Sequence, residues 1–289
     1  MLGPSELVLN ADNSIYHLNL LPEDIANTII TVGDPDRVVS VSDHFDTIEL
    51  KKGKREFITH TGTLNGKRIS VVSTGIGTDN IDIVLNELDA LVNIDFETRS
   101  IKDDITTLDI VRIGTSGAIQ ADIPVDSFLM SQYAIGFDNL LHFYESEHIQ
   151  HPEVQLAFID HTNWSIYKSI PYVVSYNGSL AERLLSEDLR LGFTGTNVGF
   201  YGPQGRKLRL DTDDSELNAK LASFKYRDLQ ITNLEMETSA IYGLSKLMGH
   251  RAVSLNCILA NRSNGEFSKD PKKAVNKLIG LTLDKLTAH

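Results

Sequence analysis

Two glutamates flank one methionine in NLEMETSAIYGL, Asn233 to Leu244. Beyond them Ala240, Ile241, Leu244, Leu247 and Met248 recur every three or four residues, the period of an amphipathic helix. Glu235 and Glu237 therefore sit where a short strand hands over to a helix. An acid in a first helical turn is favoured by about 0.3–1 kcal/mol through the free N–H groups and the macrodipole. That alone accounts for Glu237. A carboxylate there can also accept hydrogen bonds from a polyol, and two adjacent sugar hydroxyls are such a partner.

Three other short segments have the chemistry to meet an anion. In TVGDPDRV, Gly33 ends a strand and Asp36-Arg37 opens a helix. Glycine lets a ligand approach the backbone, a helix start offers free N–H groups to phosphate, and Arg37 adds a charge. Gly-Asp-Pro is also ordinary turn chemistry. In VRIGTSGAI, Arg112 interrupts an apolar strand that ends in Gly114, Thr115, Ser116 and Gly117. Burying a lone arginine is costly, so Arg112 needs either a partner carboxylate or a ligand. The third segment, STGIGTDN, carries Gly75 and Gly77, which tight packing alone would explain. No G-x-x-x-x-G-K-[ST] loop occurs, and no G-x-G-x-x-G follows a strand, which weighs against nucleoside triphosphates and dinucleotides. His148 and His151 lie near Glu145 and Glu147, but without H-E-x-x-H or Cys/His spacing they read as solvated surface and no metal site is expected.

The elements that must position these residues are legible as alternation. Apolar runs at Thr28–Gly33, Arg68–Gly75, Leu108–Gly114, Asp126–Tyr133, near Thr196–Tyr201 and at Arg251–Asn261 read as strands. Amphipathic stretches at Asn80–Leu91, Ser179–Leu189, from Ser215, and from Asp270 to Leu286 read as helices, the second with a serine cap and a capping-box glutamate. Such alternation implies an α/β layered fold with a largely parallel or mixed sheet. Ligands in these folds sit beyond the carboxyl ends of strands.

Composition narrows the partners. The chain has 289 residues, 41% hydrophobic and 23% charged, and nothing in it reads as a linker or a repeat, so a single domain over 1–289 is expected. Residues 1–16 read as an N-terminal extension, and 93–107 as a polar excursion. A net charge of -12 with no basic run longer than KKGKR disfavours nucleic acid and anionic membranes. The opening MLGPSELVLNADN lacks a basic region and an apolar core, so no secretory signal is expected. No apolar run approaches the ~18 residues of a membrane span. The single cysteine, Cys257, excludes an intrachain disulfide and lies in an apolar run as core. The expectation is a cytoplasmic protein.

GDPDR, RIGTSGAI and EMET, in this order and spacing, resemble the trimeric/hexameric class of nucleoside phosphorylases, from about His17 to the C-terminus. FYGPQGR, Phe200 to Arg206, resembles the base loop of the uridine phosphorylase branch, although as bare sequence it also reads as a glycine-rich surface turn. The resemblance implies a single-domain three-layer α/β/α sandwich with a mixed central sheet. It implies reversible phosphorolysis of uridine to uracil and ribose 1-phosphate, with inorganic phosphate as co-substrate and no cofactor. Phosphate would be held by Gly33, Arg37, Arg112 and Thr115, with Arg55 from a neighbouring subunit. His17 would reach across to the ribose 5′-hydroxyl, and Thr115, Glu235, Met236 and Glu237 would line the sugar. Phe200, Gln204, Arg206 and Arg262 would face the base, and Arg206, Arg112 and Glu237 would carry catalysis. A homo-oligomer is implied, with a dimer as the active unit and a hexamer as a trimer of dimers.

The sequence also departs from the pattern. Purine-specific relatives carry an acid where Asn261 and Arg262 stand. GIGTDN replaces the GIGGPS of many bacterial uridine phosphorylases, so Asn80 stands where a serine helps to hold a monovalent cation, and that ion is not expected. A purine phosphorylase, a hydrolytic nucleosidase and a non-catalytic nucleoside sensor are the alternatives on the same scaffold.

Overall fold

The computed structural model describes residues 1–288. The chain runs β1 (Thr28–Val32), α1 (Pro35–Ser42), β2 (Thr47–Lys54), β3 (Phe57–Leu64), β4 (Lys67–Ser73) and α2 (Thr78–Asn93). Two short strands follow, β5 (Ile94–Asp95) and β6 (Ser100–Ile101), then β7 (Asp109–Ala118) and β8 (Phe128–Gly136). Next come α3 (Pro152–Thr162), β9 (Tyr172–Ser175), α4 (Gly178–Leu184), β10 (Leu189–Thr196) and α5 (Leu217–Ser223). The chain continues with β11 (Lys225–Tyr226), β12 (Leu229–Glu235), α6 (Thr238–Leu247), β13 (Arg251–Asn261), β14 (Glu266–Phe267) and α7 (Pro271–Thr287).

The strands form a mixed sheet in the order β11-β12-β10-β8-β13-β7-β1-β4-β3-β2. Period-two alternation sorts its faces. Ile29, Ile110 and Ala252 pack with Leu85 and Leu88 of α2 and with Ile241 and Leu244 of α6. Their neighbours Ile30, Val111 and Val253 turn to the other face, against Val38 of α1, Leu184 of α4 and Leu278 of α7. Helices thus cover both faces, as in the α/β/α sandwich. Cys257 lies in the second cluster, and burial pushes its thiol up to about 12.

One part of the sheet closes on itself. β12 pairs in parallel with β10 and also antiparallel with β7, through Asn233 to Ala118 and Leu234 to Gly117. β7, β13, β8, β10 and β12 therefore make a ring, from which β1, β4, β3 and β2 extend as a wing. The closure brings the end of β12, with its glutamates, against the strand that carries Arg112.

Three local expectations need correction. The helix expected over Ser179–Leu189 ends at Leu184, and its cap is Asn177, whose side chain accepts from the Leu180 N–H at 3.1 Å. Ser179 donates to that same Asn177 oxygen and is not the cap. The strand expected near Thr196–Tyr201 ends at Thr196; its body, Leu189–Thr196, is held between β8 and β12. Within 93–107, Ile94 pairs with Ile101 in a small hairpin. Arg99 of that hairpin donates to the Leu2 and Gly3 carbonyls at 2.9 Å, tying the segment to the N-terminal residues.

Candidate active site

Arg112 is the centre. Its alternation on β7 turns it to the same face as Ile110, toward α6, within the apolar run Ile110–Ile113. Gly114 makes this possible, since a Cβ there would overlap the guanidinium folded back over it. Nη2 of Arg112 donates to Glu237 at 2.6 Å and lies 3.1 Å from Glu235. Nη1 donates to Asn256 Oδ1 at 3.0 Å and to Ser254 Oγ at 3.4 Å. Burial pulls the Arg112 guanidinium down, but the two glutamates outweigh it and the net shift is upward.

The two glutamates of the EMET segment differ. Glu237 precedes α6, is buried, and accepts the Gly77 N–H at 2.9 Å. That N–H is presented by a backbone with φ of 99°, which glycine adopts freely. Burial raises the Glu237 carboxyl, Arg112 pulls it back, and the nearby Glu235 charge raises it further. Glu235 is turned inward. Its oxygens accept from Thr196 Oγ1, from the Glu237 and Thr238 N–H groups and from Thr238 Oγ1, at 2.7 to 3.2 Å. With Arg112 beside it, Glu235 is occupied in shaping the strand-to-helix turn, whereas the family resemblance implied a place for it among the sugar ligands. Met236, between them, is half-buried.

A second guanidinium stands beside the first. Asp34 caps α1 by accepting the Asp36 N–H at 3.0 Å, and this aims the first turn, with Arg37, at the ends of β1 and β7. Arg37 reaches the Ile113 carbonyl at 3.3 Å. Burial and the charge of Arg112 both pull its guanidinium down. A half-buried Arg37 beside a buried Arg112 puts two like charges together, which favours an anion between them. Register supports the placement: Thr31 pairs with Arg112, which sets Gly33 at the level of Gly114, next to the half-buried Thr115.

The base-loop residues gather at the far end of β7. The Arg262 N–H donates to the Ala118 carbonyl at 2.8 Å, and its side chain lies over Gly117. Its guanidinium holds the Gln204 carbonyl at 2.8 Å, and Asn218 holds the same oxygen at 3.1 Å. Arg206 stacks on the Phe200 ring, 3.7 Å from its centroid, and donates to Gln204 Oε1 and the Phe200 carbonyl at 2.6 Å each. Burial and the Arg262 charge pull the Arg206 guanidinium down. Asn261 is spent internally: it donates to the Gln120 and Ile123 carbonyls and accepts from the Ser263 N–H. From Arg112 to Gly117 the strand spans roughly 16 Å at about 3.3 Å per residue. Anion-facing and base-facing groups thus lie along one strand.

His17 and Arg55 stand apart from this line. His17 Nδ1 is 2.6 Å from Glu87 on α2, whose carboxylate also accepts the His17 and Leu18 N–H groups. Arg55 is exposed at the tip of the β2–β3 hairpin, at φ 56°. Next to it, Glu56 receives the Asn80 amide at 3.4 Å. Among the described residues, no group of three or more His, Cys, Asp or Glu is placed to hold a metal, and no helix is long and apolar enough to cross a membrane.

Sequence reasoning missed Gly77, Thr196, Ser254, Asn256 and Glu87. For Ser254 and Asn256 a signal existed: polar residues two apart in an apolar strand must share a face, here that of Ala252. Thr196 and Glu87 act through contacts between residues far apart in sequence, which no local pattern encodes.

A uridine phosphorylase of Thermococcus kodakarensis is 29% identical over 267 residues, covering 89% of this chain and 81% of the relative. A DeoD-type purine nucleoside phosphorylase of Brevibacillus brevis is 28% identical over 271 residues, covering 93% and 97%. Among solved structures, a Trypanosoma brucei nucleoside phosphorylase described as showing uridine phosphorylase activity superposes with a TM-score of 0.87 at 28% identity, over 98% of this chain and all of that one. The sequence profile of the phosphorylase superfamily matches residues 27–286, and the chain belongs to that family.

Proposed function

We propose that the protein is a uridine-preferring nucleoside phosphorylase, a pentosyltransferase that converts uridine and phosphate to uracil and ribose 1-phosphate. The observation that carries this reading is the line of groups along β7. Arg37 and Arg112 lie at one end, Glu237 on Arg112, and Gln204, Arg206 and Arg262 at the other.

The roles follow from charge and hydrogen-bonding capacity. Phosphate binds between Arg37 and Arg112, with the backbone and hydroxyl of Thr115 and the Gly33 backbone beside it. Each guanidinium contact at 4 Å and an effective dielectric of 20 is worth about 4 kcal/mol before desolvation. Glu237 takes the 2′- and 3′-hydroxyls, with Met236 against the sugar and Glu235 holding the turn that presents them. As the C1′–N1 bond stretches, the sugar becomes oxocarbenium-like and phosphate attacks C1′. The electron pair leaves with uracil, whose charge gathers on O4. Arg206 donates there, supported by Arg262. The Arg206 contact turns the Gln204 amide oxygen toward it and leaves the amide nitrogen on the far side. That order matches O4, N3–H and O2 of uracil, with Gln204 accepting from N3–H and donating to O2.

The purine reading has its own support in the DeoD-type relative. Against it, Asn261 is an amide with both ends engaged, and no acid stands there to protonate purine N7. Release of uracil from uridine, measured with and without phosphate beside an inosine control, decides between uridine phosphorolysis, hydrolysis, purine phosphorolysis and mere binding. Uracil only with phosphate, and faster than hypoxanthine, is the expected result.

The same reading makes the protein a cytoplasmic homo-oligomer with a dimer as active unit, assembled into a hexamer, and without a cofactor. The exposed position of Arg55 supports its donation to a neighbouring site. The Glu87 contact fixes His17 Nδ1 and leaves Nε2 to reach a 5′-hydroxyl.

A further inference from the structure

We propose that Asn256 is a positioning residue that holds Arg112 in place with a neutral acceptor and so keeps its charge available to phosphate. This rests on the phosphorolysis reading above. Arg112 has two sides. Nη2 faces the carboxylates of Glu235 and Glu237, whereas among the described residues Nη1 hydrogen-bonds only the Asn256 amide oxygen and the Ser254 hydroxyl. Asn256 and Ser254 are fully buried, and Arg112 nearly so. Around the anion position, Arg37 and Arg112 balance Glu235 and Glu237. A third carboxylate on Nη1 would tip the balance against a dianion. An amide oxygen supplies the same geometry without that charge.

The amide cannot turn over. Asn256 Nδ2 donates to Ser131 Oγ at 3.2 Å, and Ser131 Oγ is 2.6 Å from Thr194 Oγ1. Thr194 Oγ1 donates to Asn233 Oδ1 at 2.9 Å, and Asn233 Nδ2 donates to Ser116 Oγ at 2.8 Å. Because the Thr194 proton goes to Asn233, Ser131 must donate to Thr194 and accept from Asn256. The chain therefore runs in one direction. β13, β8, β10, β12 and β7 each contribute one member, so it crosses the whole closed ring. Reversing Asn256 would set its NH2 against the N–H groups of Arg112 and break the chain at its first link, in a buried site where unpaired polar groups are costly.

The test separates phosphate from uridine. Asn256→Asp keeps the shape and adds a charge. Ser131→Ala leaves Arg112 untouched and removes the group that orients the amide. Steady-state kinetics with each substrate varied in turn, and calorimetric titration with inorganic phosphate alone, are read on both variants after circular dichroism establishes folding. The expected result for Asn256→Asp is a phosphate KM and Kd raised about 10-fold or more, with the uridine KM within about twofold. For Ser131→Ala a rise of about threefold in the same two phosphate constants is expected. If Asn256→Asp does not fold, Ser131→Ala carries the test alone. Phosphate constants unchanged in the variants that fold overturn the role, and so does a parallel rise of both KM values, which marks a merely structural effect. Wild-type protein that releases no uracil overturns the phosphorolysis reading instead. Wild-type turnover with an unmoved phosphate KM in the variants overturns only the positioning role.

Discussion

Nη2 of Arg112 stands 2.6 Å from the Glu237 carboxylate, although the two residues are 125 positions apart in the chain. The closure of β12 onto β7 creates this contact. It joins an anion-binding group to a sugar-binding one, so a phosphate on Arg112 and a ribose on Glu237 are held at neighbouring points. The pair is buried, and removing one partner of a buried ion pair leaves the other uncompensated.

Glu235 and Glu237 should therefore fail in different ways. Glu235→Ala strips acceptors from Thr196, Thr238 and the Glu237 N–H, and takes one carboxylate from Arg112. It should cost about 3 kcal/mol or more of stability, as breaking a buried pair does, measured by urea unfolding. Glu237→Gln keeps the shape and loses the charge. Its melting temperature should fall less than that of Glu235→Ala, while turnover of uridine falls about 10²-fold, the scale of one transition-state contact. Equal loss of stability in both would refute the division of labour.

Arg206 donates to the departing base from a position stacked on Phe200. Losing one such donor costs about 2.7–4 kcal/mol in comparable oxyanion sites. Arg206→Ala should lower kcat on uridine about 10²-fold or more, with the phosphate KM little changed. Near-normal turnover would remove Arg206 from the mechanism.

Arg37 carries the complementary expectation. It is half-buried beside Arg112 and, among the described residues, its side chain donates to a backbone carbonyl. Arg37→Ala should chiefly raise the phosphate KM, by about 10-fold or more, with a smaller effect on the uridine KM. A phosphate KM equal to wild type would count against its role.

How much of this was legible in the sequence depends on range. The apolar runs at Leu108–Gly114 and Arg251–Asn261 were legible as strands, because run length and β-branched composition are local properties. Arg112 announced itself as a charge in an apolar run. The partners of that charge were not legible, because the ring closure joins Asn233 to Ala118 by a pairing with no local signal. Glu235 shows the same limit. Its type and place suit a sugar ligand, and only the positions of Thr196 and Arg112 reveal that its oxygens are engaged. The Ser179 cap failed for a different reason: Asn177, two residues earlier, is an equally good cap, and the helix took it.

Asp138 gives a pH-dependent prediction away from the reaction. It is buried, and accepts from Tyr172 at 2.7 and 2.8 Å and from the Leu140 N–H at 2.8 Å. Burial holds its carboxyl above the ordinary range, although these hydrogen bonds pull it down. A carboxyl raised in the folded state binds its proton more tightly there than when unfolded. Its contribution is complete below the unfolded pKa of about 3.9 and is lost as pH rises through the folded value. The stability of wild type minus that of Asp138→Asn should thus fall as pH rises from about 4 through the folded value. Urea unfolding at several pH values across that window measures it, and a flat difference would mean that Asp138 does not titrate there.

Arg55 and Glu237 offer a test of assembly. If Arg55 serves a neighbouring site, Arg55→Ala and Glu237→Gln are each impaired for a different reason and in a different half of a shared site. Co-refolding the two variants should then produce mixed dimers with one intact site, built from Glu237 of one chain and Arg55 of the other. Uracil release by the mixture should rise well above that of either variant alone. Sedimentation of the mixture should place the recovered activity in the dimer or a larger species. A mixture no more active than its parts would mean that Arg55 acts within its own chain or not at all, because in a site built from one chain each mixed dimer would still carry one lesion per site.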